Sequence, residues 1–271
     1  MHNSHFIIHT VKRTLHYSFI TLYLVLIVCS CASNEKWNDI QIVKVAANAT
    51  AERKTKTNEV GDTIIVSPPY DITVDMEFMD TTSIENIEVC HMINKKLIEE
   101  FLDQKNETDP QKAVNIFIER LQNQYEQDDL SPEVYDHYLG EAKYGRGGVI
   151  NYFMNEDFYG GGAHPTSVTN ILRFNTQTGE KIELYEFFTD TCSTSLCDKL
   201  TKRLMDNVGV TTIDSLHALG YLDMLDMYVT ENFFLDKDSI AFYYNTYDIA
   251  PYAVGPTTLT FSYEELKEYI R

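Results

Sequence analysis

The side chains able to serve as nucleophiles, general bases or metal ligands are few and far apart. Of eight histidines, His2, His5, His9 and His16 stand at the extreme N-terminus, leaving His91, His137, His164 and His217. No two of those four share the spacing that sets a pair of imidazoles on one helix face, and there is no Cys-x-x-Cys pair, so zinc has no local support. A G-x-S-x-G turn, a phosphate-binding loop and a dinucleotide fingerprint are all missing. Asp223, Asp226, Glu231, Asp236 and Asp238 lack the D-x-D-x-D-G order of a calcium loop and are read as a solvated acidic face. The expectation is a chain without catalytic residues, metal or cofactor.

Two short segments do carry recognition chemistry. Tyr159 to Pro165 reads YGGGAHP, in which Gly161 and its neighbours permit left-handed backbone and Pro165 stiffens the exit after His164. Either the loop presents an imidazole to a ligand, or it is a tight connection whose ring packs locally. Tyr247, Pro251 and Tyr252 pose the same choice, since aromatic and proline side chains suit a binding surface as well as strand-to-loop packing. Tyr159, Gly161, His164, Pro165, Tyr247, Pro251 and Tyr252 are therefore the candidate ligand-binding residues.

The remaining chemistry lies in the cysteines. Phe19 to Cys29 is an apolar run behind Lys12 and Arg13. It is well short of the roughly 20 residues that span a bilayer, but it has the length of a signal-peptide core. Val28-Cys29-Ser30-Cys31 then resembles a lipobox, with an aliphatic residue at −3, a small one at −1 and the Cys31 thiol as lipid acceptor; Val28 is too bulky to precede the cleavage point at Cys29. Residues 1–30 read as a lipoprotein signal peptide and Cys31 as a membrane anchor in a bacterial cell envelope. An exported compartment permits disulfides, and Cys192 and Cys197 could pair only if a helix began after them. Cys90 reads as a small buried hydrophobe.

The formal net charge of −19 makes nucleic acid a poor partner, because phosphate binding needs clustered Lys and Arg. A cationic ligand is compatible with that charge, as is plain solubility. The 18 Tyr and 14 Phe against one Trp lean towards strands rather than a helical bundle.

These residues need elements to hold them. Residues 31–58, rich in Ala, Asn, Thr and Lys, read as a flexible tether. Asp62 to Val66 and Asp71 to Met79 read as strands, the second alternating Ile72, Val74, Met76 and Phe78 onto one face. Ser83 to Asp103 reads as a helix, and Asp109-Pro110 caps and opens another. From Gly147 the pattern turns to strands: Val149 to Phe158, Ser167 to Asn175 and Lys181 to Leu184. Helices follow over Thr194 to Asn207 and Ile213 to Leu219. Glu231 to Tyr244 is a hairpin, Thr257 to Phe261 a strand, and Ser262 to Glu265 a capping box. The predicted class is α+β: a small strand-plus-helices N-terminal domain over 59–145, then a mixed antiparallel-sheet-and-helix domain over 146–271.

Phe158 to Phe188, containing YGGGAHPTSVTNILRFNTQTGEKIELYEFF, resembles the extracytoplasmic domain of RsiV-type anti-sigma factors. Asn232 to Ile270, NFFLDKDSIAFYYNTYDIAPYAVGPTTLTFSYEELKEYI, resembles it in the same order. Residues 61–144 resemble, more weakly, the small domain that precedes it there and in PdaC-type peptidoglycan deacetylases. The resemblance implies an envelope protein whose C-terminal domain binds a protein ligand, lysozyme in RsiV, or peptidoglycan. It departs from RsiV in having a lipobox where a cytoplasmic sigma-binding segment and membrane span would be, and from PdaC in having no room for a deacetylase domain. The expectation is a non-enzymatic envelope lipoprotein that binds a ligand; a hydrolase or esterase built from dispersed residues, and a structural accessory subunit, are the alternatives.

Overall fold

The computed structural model describes residues 40–82, 86–126, 133–189, 194–223 and 225–271. The expected signal peptide over 1–30 and Cys31 lie outside them. The fold is α+β, and its first half is a five-stranded sheet. In chain order the strands are β1 (Ile42–Ala51), β4 (Tyr70–Met79), β5 (Val134–Tyr144), β6 (Val149–Tyr159) and β7 (Thr166–Asn175), and they are neighbours in that order. All pairs are antiparallel except β4 with β5, which run parallel across the connection made by α1 (Ile87–Leu102) and α2 (Pro110–Glu126). A two-stranded ribbon, β2 (Lys54–Thr57) with β3 (Thr63–Ser67), projects between β1 and β4.

The alternation read along β4 holds: Ile72, Val74, Met76 and Phe78 are fully buried beneath the two helices. Asp109 caps α2 as expected, its carboxylate accepting from Lys112 N at 3.0 Å. Asn94 ties α1 to the sheet, with its side-chain amide donating to Met79 O and accepting from Met79 N, each at 2.8 Å.

The second half is built on a three-stranded sheet ordered β10 (Thr257–Ser262), β9 (Ser239–Tyr244), β8 (Phe233–Leu235). It packs with α4 (Thr194–Val208) and α5 (Ile213–Ala218) around a second core. Phe188, Phe233, Phe242 and Phe261 meet there ring to ring at 5.5–6.2 Å. The capping box over Ser262 and Glu265 opens α6 (Tyr263–Leu266).

Three expectations are corrected. The tether over 31–58 does not hold for its second half, because Ile42–Ala51 is the outer strand of the main sheet and Val45, Ala47 and Ala49 cover its helix side. Small alanines hid that strand from a pattern that weighs bulky apolar residues. A boundary at 145/146 would cut the sheet between β5 and β6, which are paired from Tyr135 with Tyr159 to Tyr144 with Ile150. The cores divide later, after β7. Lys181 to Leu184 makes a lone bridge, Lys181 to Phe174, before α3 (Leu184–Phe187) begins.

The halves are joined by a buried polar seam. Arg173, 1% exposed on β7, donates through Nη1 to the carbonyls of Ile171, Glu231 and Phe233 at 2.8–3.1 Å and through Nε to Ile182 O at 3.2 Å. Its guanidinium lies 3.7 Å from the Phe233 ring centroid. Burial lowers its pKa to about 10, so it stays charged at neutral pH. Asn151 brackets Leu235, donating to its carbonyl at 2.9 Å and accepting from its amide at 3.0 Å. Gly145 is required beside them, since a Cβ there would fall 1.9 Å from Leu235 O. Replacing Arg173 with Met strands several buried carbonyls at about 1–3 kcal/mol each. R173M should therefore lose about 3 kcal/mol or more in urea denaturation, and a loss below 1 kcal/mol would show the seam to be dispensable.

A second buried cluster lies under α2. Asp136, 2% exposed, accepts from the hydroxyls of Tyr125 at 2.7 Å and Tyr138 at 3.1 Å, and Tyr138 also reaches Glu156 at 3.4 Å. Burial raises both carboxyl pKa values, and the Asp136 charge raises that of Glu156 further. A raised carboxyl binds its proton more tightly folded than unfolded, so its contribution to stability is full below about pH 4 and falls as pH rises through the folded value. Glu156→Gln removes that loss. Its stability relative to wild type should improve from pH 4 to pH 7 in thermal melts; a pH-independent difference would contradict the account.

Candidate functional site: an aromatic seam between two clefts

The loop that joins β6 to β7 turns on Gly161 and Gly162, whose φ angles of 93° and 114° L side chains rarely adopt. The turn carries His164 outward. Opposite it stands the segment 245–256, which leaves β9 and returns to β10. Asn245 pins this segment to β7, donating to Thr169 O at 3.0 Å and accepting from Thr169 N at 2.7 Å. Its backbone amide also donates to Asp248 Oδ2 at 2.7 Å, which closes the turn. Tyr252 then begins a short 3₁₀ turn through Val254.

The two segments meet ring on ring. His164 stacks on Tyr252 with centroids 3.7 Å apart and planes inclined by 15°. Its Nδ1–H donates to Pro165 O at 3.1 Å and its Nε2 accepts from the Tyr247 hydroxyl at 3.3 Å, which suits one neutral tautomer. Tyr159 is held lower in the loop, its hydroxyl donating to Gly162 O at 3.1 Å. His164, Tyr247 and Tyr252 are all exposed despite these contacts. The His164 ring thus packs locally while remaining at the surface.

Tyr247 carries the clearest mark of strain. Its φ is 74°, uncommon for an aromatic residue, and the residue is 60% exposed. It borders a small cleft of about 270 Å³ with Leu222, Leu225, Ile249 and Pro251, rimmed by Asp223 and Asp248. Leu222, also left-handed at φ 55°, lies in the same wall. On the other side Pro165 and Tyr252 border a larger open cleft of about 600 Å³. Its floor is the sheet face opposite the helices, where Tyr135, His137, Asp157 and Ser167 lie.

Among the candidate residues, Gly161 shapes the turn, His164, Tyr247 and Tyr252 form the stack, and Pro165 and Pro251 each edge a cleft. Tyr159 stands behind the cleft floor, stacked on Tyr135 at 5.8 Å. Cys31 and Cys192 lie outside the described residues, so the anchor and the Cys192–Cys197 pair do too; α4 starts at Thr194, before Cys197. Cys90 is buried on α1, and burial pushes its thiol pKa up. Asp223, Asp226, Glu231, Asp236 and Asp238 are exposed, as read. No group of three or more His, Cys, Asp or Glu among the described residues is placed to hold a metal ion. No helix among them is long and apolar enough to cross a membrane.

The sequence reading missed Asn151, Asn232 and Asn245, along with Tyr135, His137 and Asp157. The asparagines leave a trace, each standing within or beside an apolar strand. The others come from β5 and β6, and only the sheet register brings them beside the loop.

Residues 185–264, which hold the second core and the Tyr247–Tyr252 segment, match the family model described as Protein of unknown function (DUF3298). The chain carries a DUF3298 domain. A crystal structure of a DUF3298 family member from Bacteroides fragilis NCTC 9343 superposes with a TM-score of 0.71 at 24% identity, covering 88% of this chain and 96% of that one. Another, from Pseudomonas aeruginosa PAO1, gives 0.59 at 11% identity, covering 87% and 96%. At these identities the likeness is one of fold. It extends beyond the DUF3298 match into the first half of the chain. No curated protein matches the chain.

Tyr247→Gly tests whether the left-handed backbone is retained for the exposed ring. Glycine removes a strain of about 1 kcal/mol, so thermal stability should rise or hold; a loss beyond about 1 kcal/mol would mean that the ring is needed for folding.

Proposed function

We propose that this chain is a lipid-anchored bacterial envelope protein whose folded body binds a ligand at the aromatic seam without catalysing a reaction. One observation carries the reading: His164 and Tyr252, 88 positions apart, are stacked at the surface between two clefts and buttressed by a strained, exposed Tyr247. Backbone strain spent on an exposed ring is explained by contact outside the molecule better than by packing. Rigid aromatic side chains supply contact area at low entropy cost.

Two features support binding over catalysis. Both ring nitrogens of His164 are engaged within the seam, by Pro165 O and the Tyr247 hydroxyl, so the imidazole is held as a packed, exposed face. On the cleft floor the register sets Asp157 between His137 and Ser167, an order that keeps the imidazole away from the hydroxyl it would have to activate.

The anchor rests on the Val28–Cys31 motif and the apolar run before it. The RsiV-like and PdaC-like resemblance points to a lysozyme-like cationic protein or a cell-wall component as ligand. The exposed Asp71, Asp157, Asp223 and Asp226 suit a partner that is not anionic.

Two experiments test the proposal. Cys31→Ser should abolish fatty-acid labelling and release the protein from membranes; a labelled or membrane-bound variant would refute the anchor. For the seam, calorimetry of the full chain in detergent uses lysozyme and soluble cell-wall fragments as probes. Binding of either that weakens at least tenfold in His164→Ala supports the reading, and binding of neither overturns it.

A further inference from the structure

The larger cleft has a floor and a wall of different chemistry. On the floor, β5, β6 and β7 place His137, Asp157 and Ser167 in one row, each the register partner of the next. Asn155 lies in the adjoining row and donates to Ser167 Oγ at 3.2 Å, which fixes that hydroxyl on the cleft side of the sheet. Along β5 from this row, Tyr135 is stacked between His137 at 5.1 Å and Tyr159 at 5.8 Å. The three rings stand as a rigid block at the polar row.

The wall is Tyr252. One of its faces is covered by His164, which stacks at 3.7 Å and takes no part in the lining of the cleft. Tyr252 itself lines the cleft, its ring held in a fixed plane by that imidazole. A flat ring set over a row of carboxylate, hydroxyl and imidazole groups can take a ligand with an apolar face and polar edges.

We infer that this cleft is a binding subsite for a saccharide chain of neutral or amino sugars. A pyranose ring has that two-sided character: its axial C–H face packs on an aromatic ring, and its equatorial hydroxyls need donors and acceptors around the edge. The volume of about 600 Å³ falls within the roughly 300–1,000 Å³ of small-molecule sites, and its open form suits a chain that runs through. Asp157 in the floor row, with Asp71 beside His137 at 3.5 Å, opposes carboxylated or phosphorylated sugars. A hydroxyl or an amine answers Asp157, and a sugar without them leaves that carboxylate poorly solvated.

The inference rests on the reading of the seam as a ligand-binding surface and names the ligand class for one side of it. It is tested by saturation-transfer NMR and calorimetry on the full chain in detergent, with a tetramer of N-acetylglucosamine, a tetramer of galacturonic acid and a lysine-rich peptide as probes. The expected result is saturation transfer to the pyranose ring protons of the first probe and none to the second. Tyr252→Ala should weaken binding at least tenfold, while Tyr252→Phe, which keeps the ring, stays within about threefold; circular dichroism melts of both exclude unfolding. Asp157→Asn should relax the discrimination against galacturonate. Binding of the peptide alone, lost in Tyr252→Ala, would overturn the saccharide assignment and leave the ligand-binding seam standing. Binding of no probe here, nor of lysozyme or cell-wall fragments, would overturn both. Saccharide binding unaffected by Tyr252→Ala would place the site elsewhere and overturn the assignment.

Discussion

The molecule depends on one buried cation held by main-chain carbonyls. Arg173 enters the interface between the two cores and spends its hydrogen bonds on main-chain carbonyls from three segments of the chain. A guanidinium can do this because its fork of donors is rigid and it is weakly hydrated, so the desolvation cost is spread over several charge–dipole contacts. An ammonium group could not reach the same set. The Phe233 ring beneath it adds a cation–π contact in a site that excludes water. Because the carbonyls come from β7, from the approach to β8 and from the segment before α3, the arginine fixes the second half of the fold against the first in a single register.

Around it, amides do the work of a missing strand. Among the described residues no sixth strand extends the sheet past β7, and unpaired edge groups there would be a liability. Asn232 accepts from Ile171 N at 2.9 Å and donates to Thr169 O at 2.8 Å, while Asn245 takes the amide of Thr169 and shares its carbonyl. Each asparagine offers one donor and one acceptor at the spacing of a peptide group, so it can stand in for backbone. The consequence reaches the site: Asn245 is two residues before Tyr247 and seven before Tyr252, and its bonds to β7 bring those rings to the loop that carries His164. The seam is thus a product of the joint between the cores, and its rigidity has the same origin as the fold's.

The relation between pattern and structure differs element by element. β4, α2, α4 and the β8–β9 hairpin follow from apolar alternation, helical spacing, an Asp-Pro cap and a polar turn, all of which act over a few residues. β1 escaped because alanines make its buried face, and β5 because Tyr135, His137 and Glu141 interleave with residues that bury as a polar cluster rather than as an apolar stripe. The DUF3298 match covers the second core, while the structural likeness to the Bacteroides fragilis protein covers most of the chain. The first half is conventional in shape but weakly legible in its residues.

What the amino-acid sequence settled alone was local: the α+β class, most helix limits, the YGGGAHP turn and the aromatic segment after β9 as the places to look. Glycine and proline impose backbone shape on their own positions, and apolar periodicity reports which face is buried, so neither needs distant information. The tertiary structure decided that those two places are one place, that the sheet continues across residue 145, and that His137, Asp157 and Ser167 share a cleft with Tyr252. Those facts depend on strand register and on hydrogen bonds between residues 60–85 positions apart. Such pairings come from closing long loops around a shared core, and no window along the chain contains both partners.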